Sequence, residues 1–215
     1  MTNIYRIVLT VAAVSGLVML RKGIPQHLKV IAVLLVYAWF NEMSVGYLLK
    51  PFHLNSDMPQ YNFFMLVEFM AYTYYFMLIT GGIMRRIMKC FLYLFPVFWY
   101  IAVFYWFKIT EWNSFVFTAG GVCMVVWAIH YGYSVVVADA PARLFICSEF
   151  WIAAGLAVFY LCALPFMGMF NFLGKTYAHF ANQLWYILII ANIIMYSLFT
   201  YAFICRMTNT EKFRQ

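Results

Sequence analysis

An apolar stretch long enough to cross a bilayer as a helix occurs seven times in this chain, and little sequence is left between the stretches. A hydrocarbon core about 30 Å thick takes ~20 apolar residues at ~1.5 Å of rise per residue. Of the 215 residues, 67% are hydrophobic and 10% are charged, against roughly a quarter charged in a soluble domain. The expected fold is therefore all-α, a polytopic membrane protein. It reads as one domain over residues 1–215, with helices at about 4–20, 28–49, 61–80, 87–107, 114–137, 145–167 and 182–205. Any chemistry belongs inside that bundle or at its rims.

The basic residues set an expected orientation. With the N-terminus outside, the inner side holds Arg21, Lys22, Lys29, Arg85, Arg86, Lys89, Arg143, Arg206, Lys212 and Arg214. The outer side holds Arg6, Lys50, Lys108 and Lys175. Positive charge collects on the cytoplasmic side, which puts the C-terminus there. The net charge of +7 is thus a topology signal and a set of contacts for anionic headgroups, with no nucleic-acid partner implied. Basic residues follow the first segment instead of preceding it, the reverse of a secretory signal, so it reads as a retained helix. The expected location is the bacterial inner membrane.

Cysteine usage excludes two further classes. Cys90, Cys123, Cys147, Cys162 and Cys205 are scattered in or beside apolar segments with no CxxC pair. That argues against a disulfide framework and a zinc site, and leaves them as packing residues. His53, Asp57 and His179 fall in outer loops without metal-binding spacing, so no metal and no cofactor are expected. Segment 182–205 contains no lysine, which excludes a retinal Schiff base of the microbial-rhodopsin kind.

Ionisable groups within apolar segments are the candidate sites, because each costs several kcal/mol in lipid unless paired, neutralised or hydrated. Asn41 and Glu42 lie ~12–14 Å from the outer end of segment two, and Glu68 lies ~10 Å from the same end of segment three. The two carboxylates should share a depth, and whether they face each other stays open. Tyr61, Glu68, Tyr72 and Tyr75 fall at i, i+7, i+11 and i+14, one stripe of a helix. Trp185, Asn192, Tyr196 and Thr200 form a similar stripe on segment seven. The expected ligand-binding set is Asn41, Glu42, Glu68, Tyr72 and Asn192. The bland alternative for the amides and phenols is interhelical glue. A secondary inner-leaflet pair, His130 with Glu149, is also expected, with a competing reading in which Glu149 snorkels to the interface.

Several short motifs carry a resemblance. Segment two ends in Phe40-Asn41-Glu42. Segment three opens Pro59-Gln60-Tyr61-Asn62-Phe63-Phe64 and continues to Val67-Glu68-Phe69. Segment six carries Glu149-Phe150-Trp151-Ile152-Ala153-Ala154-Gly155-Leu156, and segment seven carries Leu184-Trp185-Tyr186 and then Asn192-Ile193-Ile194. In this order they resemble a group of uncharacterised small seven-helix membrane proteins of the Bacteroidota, often encoded near sensor kinases or transcription regulators. The resemblance implies a fold and a signalling context and assigns no catalytic residue.

The leading expectation is a receptor-like or sensory membrane module with an outer-leaflet polar pocket, not an enzyme. With loops too short for a soluble effector, it would act through a separate partner, such as a sensor kinase or another membrane signalling protein. Membrane lipid is the other expected partner, and a homo-oligomer is open. The alternatives are a lipid-modifying enzyme using Glu42 and Glu68 as acid and base, or a proton-coupled carrier.

Overall fold

The computed structural model describes residues 2–45, 57–106, 108–137, 147–170, 172–173 and 178–212. Among these the chain forms seven long helices: α1 Thr2–Arg21, α2 Gln26–Ser44, α3 Met58–Ile79, α4 Gly82–Ile101, α5 Ser114–Val137, α6 Ser148–Gly168 and α7 Ala178–Lys212. Six of them, all but α2, are long and apolar enough to cross a membrane. The protein is a helical, multi-pass membrane bundle.

The helix ends depart from the expected ones for local reasons. Helix α3 begins three residues early because Pro59 sits in its first turn, where a missing N–H costs nothing. Helix α4 begins at Gly82, whose φ of 65° suits a glycine, and only Thr80 and Gly81 separate it from α3. Arg85 and Arg86 therefore ride on the first turns of α4 and not in a loop. The chain stays helical through Pro96 and Pro165. The irregularity in the fourth span comes later, as a π-helical stretch over Ala102–Trp106. The expected ends at residues 49 and 145 lie outside the described residues.

Packing closes six helices into a ring. Helix α1 packs on α2 and α7, α2 on α3, α3 on α5, α5 on α6 and α6 on α7. Helix α4 leans on α3 from outside that ring, leaving Tyr93, Leu94 and Val97 exposed, a surface suited to lipid. Small residues let the ring close tightly, as membrane helices require where no water drives association. A Cβ on Gly16 of α1 would lie 3.2 Å from the Ala32 Cα of α2. A Cβ on Gly120 of α5 would lie 2.6 Å from the Phe69 ring of α3.

The middle of the ring is filled with aromatic side chains. Phe69, Tyr72, Tyr160 and Phe199 are at most 2% exposed. Phe69 and Tyr160 sit 5.6 Å apart between ring centroids, and Tyr72 and Phe199 sit 6.3 Å apart. This plug divides the interior into two polar regions, one at each end of the bundle.

Candidate functional site

At the end formed by the starts of α1, α3, α5 and α7 and the finishes of α2 and α6, the ring opens into a cavity of about 210 Å³. Glu42 and Asn41 reach it from α2, Tyr61 and Glu68 from α3, Asn192 and Tyr196 from α7, and Tyr5 from α1. Both carboxylates therefore face one space. Tyr72 stands beneath the cavity with its phenol beside Glu68. On α7, Trp185 joins Asn192 and Tyr196 on the wall, while Thr200 turns its hydroxyl onto the Tyr196 carbonyl of its own helix at 2.9 Å.

The polar lining is unevenly engaged. At the rim, Glu42 Oε1 lies 3.8 Å from Arg6 Nε, with the Arg6 side chain 48% exposed, and the Tyr61 phenol lies against the same carboxyl. The Asn41 carbonyl oxygen and Oδ1 both accept from Gln60 Nε2, at 2.8 and 3.1 Å, which ties the finish of α2 to the start of α3. Asn192 Nδ2 donates to the Leu188 carbonyl at 3.1 Å. Asn41 thus carries part of the helix packing, consistent with glue, while Asn192 bonds within its own helix; both still face the cavity.

Glu68 is different. It is 8% exposed, at the base of the cavity, with the phenols of Tyr72 and Tyr160 beside it. Tyr160 Oη is itself buried. No Lys, Arg or His is among the described residues that line the cavity. The walls are aromatic: Phe64, Trp112, Phe117, Phe159, Phe170 and Trp185 line the same cavity as the acid.

Asn62, next to Tyr61, has a structural task. It is fully buried, and its Nδ2 donates to the Ile109 and Glu111 carbonyls at 3.0 and 2.8 Å. Its Oδ1 accepts the Asn113 N–H at 3.3 Å, and its own carbonyl accepts Trp99 Nε1 at 2.9 Å. One side chain thereby shapes the segment that delivers Trp112 to the cavity wall.

The opposite end holds a second polar cluster, and here the expected pairing is corrected. Glu149 Oε1 is 2.7 Å from His27 Nε2, not from His130. Its Oε2 accepts from Cys147 Sγ and Ser148 Oγ, each at 3.0 Å, and its carbonyl accepts from Tyr75 Oη at 3.4 Å. The Glu149 side chain is 16% exposed, so it is held in the bundle and does not snorkel. His130 makes no hydrogen bond among the described residues. Its neighbour Tyr131 is the α5 side chain turned inward, 8% exposed and 3.8 Å from Cys147 Sγ. A rotation of ~100° per residue carries His130 aside. His27 escaped the sequence reading because it follows the Gly23-Ile24-Pro25 break, yet α2 already begins at Gln26.

Cys147 is likewise more than packing: burial, then its bond to Glu149, pushes the thiol up from its ordinary value, which suits it to donate. Cys90 and Cys162 are exposed, and of the five only Cys205 is buried. Among the described residues no His, Cys, Asp and Glu group is arranged to hold a metal. His53 and the His179 side chain lie outside the described residues.

No protein-family model, curated protein or solved structure matches the chain.

Proposed function

We propose that this protein is a receptor-like sensory membrane module that holds a small guest in the cavity around Glu68. The observation that carries the reading is convergence: polar side chains from α2, α3 and α7 meet in one space, above a packed aromatic plug. A blind pocket of this kind suits binding. The plug gives no support to a proton-coupled carrier, which needs a hydrated path to the other side.

On this reading all seven helices span, with the N-terminus outside and the C-terminus in the cytoplasm of a bacterial inner membrane. Helix α2 falls short of the other spans because polar residues cluster at its ends, and the bundle satisfies them: Gln26 Nε2 donates to Tyr74 Oη at 3.0 Å, and His27, Asn41 and Glu42 are partnered as above. Its place between α1 and α3 in the ring supports a full crossing. Among the described residues Arg6 and Lys108 mark the cavity end, while Arg21, Lys22, Lys29, Arg85, Arg86, Lys89 and Arg206 mark the other, supporting the orientation.

Helix α3 supplies a link across the membrane. Its stripe runs from Tyr61 and Glu68 at the cavity, through Tyr72 in the plug, to Tyr75 against the start of α6. A guest that draws on Glu68 shifts α3, and the His27–Glu149 cluster moves with it, where a separate signalling partner such as a sensor kinase reads the change. The lipid-modifying enzyme is the second reading, favoured by the shared cavity of Glu42 and Glu68 but weakened by Arg6, which already engages Glu42.

Complementation tests the proposal. The wild-type gene should reverse the transcriptional change caused by its deletion, and Glu68→Gln, present in the membrane at equal level, should not. Full reversal by both Glu68→Gln and Glu42→Gln would remove the cavity from the function.

A further inference from the structure

We infer, resting on the reading of this cavity as a receptor site, that its guest is a small organic cation: an amine or quaternary ammonium on an apolar body about one ring in size, with its charge at Glu68. Three independent features of the cavity select that chemistry.

The first is charge. Glu68 has no cation opposite it among the described lining residues, and Glu42 at the rim has Arg6. A carboxyl left without a counter-charge in the interior is costly, and a guest cation is the partner that removes the cost. An anionic guest, such as a carboxylate or phosphate, would meet two glutamates and, among the described residues, one nearby guanidinium that is already engaged. A neutral acyl chain would fill the space and bring no charge to Glu68.

The second feature is the wall. Phe64, Trp112, Phe117, Phe159, Phe170 and Trp185 present ring surfaces around a cavity with a carboxyl at its base. Aromatic faces carry negative charge density, and cages of them bind alkylammonium groups, most strongly where water is excluded.

The third is size. The cavity volume of about 210 Å³ is somewhat larger than the ~150 Å³ that admits a benzene ring, and below the ~300–1,000 Å³ of drug-sized sites. It admits one ring with a short cationic arm. It does not admit a phospholipid.

The test compares two molecules of one shape. The full chain in nanodiscs of zwitterionic lipid is titrated with 2-phenylethylamine and with 2-phenylethanol, following tryptophan fluorescence from Trp112 and Trp185 and subtracting signal from empty discs. The amine should bind the wild type at least about tenfold more tightly than the alcohol, as a desolvated cation–π and carboxylate contact implies. Glu68→Gln should erase that preference, and Glu42→Gln should keep most of it. Equal affinities on the wild type would overturn the cationic guest while leaving the cavity a binding site. That comparison needs no variant, so it stands even if Glu68→Gln does not assemble. A preference that survives in Glu68→Gln would place the cation elsewhere and also overturn the assignment. Binding of neither molecule would overturn both the cationic guest and the cavity as a receptor site.

Discussion

Glu68 and Glu149 are both carboxylates drawn into the same ring of helices, yet their surroundings are opposite. Glu149 receives His27, Cys147 and Ser148 on its two oxygens, and its backbone carbonyl holds Tyr75. Glu68 has phenols beside it, aromatic walls around it and a cavity in front. The contrast separates two uses of a buried acid. One is a joint whose bonds are complete within the protein. The other is incomplete until something enters, which is why the functional proposal rests on it.

The largest effect should come from cutting the complete joint. His27→Ala strips the largely buried Glu149 carboxyl of its 2.7 Å contact with His27 Nε2, and leaving a buried acid short of a partner costs about 3 kcal/mol. Thermal unfolding in detergent should show it as a clear drop in midpoint. A wild-type midpoint would mean that the joint is ornamental. Next in size is Gly120→Ala, whose new Cβ would meet the Phe69 ring at 2.6 Å. Overpacking of this kind costs about 1–3 kcal/mol, and because Phe69 belongs to the plug, probe binding in the cavity should weaken with it.

Glu68→Gln sharpens the comparison by going the other way. It keeps the shape and replaces a carboxyl that has no cation among the described residues lining the cavity, so stability should hold or rise by about 1 kcal/mol. A loss as large as that of His27→Ala would show Glu68 to be a second joint, and the distinction between the two acids would collapse. The smallest effect belongs to Arg6→Gln. Its partner distance is 3.8 Å and the arginine is 48% exposed, so unfolding should change by no more than ~1 kcal/mol. A larger loss would mean that Arg6 holds the rim shut.

The sequence showed the cavity residues better than it showed the far cluster. Tyr61, Glu68, Tyr72 and Tyr75 lie on one helix, so their common stripe follows from ~100° per residue. Asn41, Glu42 and Asn192 were recognisable because a polar side chain in an apolar segment is conspicuous. Arg6, Tyr5 and Tyr160 gave no such signal: a basic residue at a span's end and a tyrosine within one are ordinary in membrane helices. His27 was hidden by a helix start read as a loop. Asn62 stood in a quoted motif, but its task, shaping the segment before α5, depends on backbone groups some fifty positions away.

Membrane insertion, the number of long helices and the faces of their polar stripes were written into the chain itself, since each follows from apolar length and rotation over neighbouring residues, whereas the last helix runs Ala178–Lys212, beyond the expected 182–205. Which stripes would meet was decided only in three dimensions. The closure of α1 on α7, the placing of α4 outside the ring and the choice of His27 over His130 for Glu149 all depend on how each helix is turned about its axis. Side-chain shape and close approach across the bundle set that angle, and no local pattern carries it.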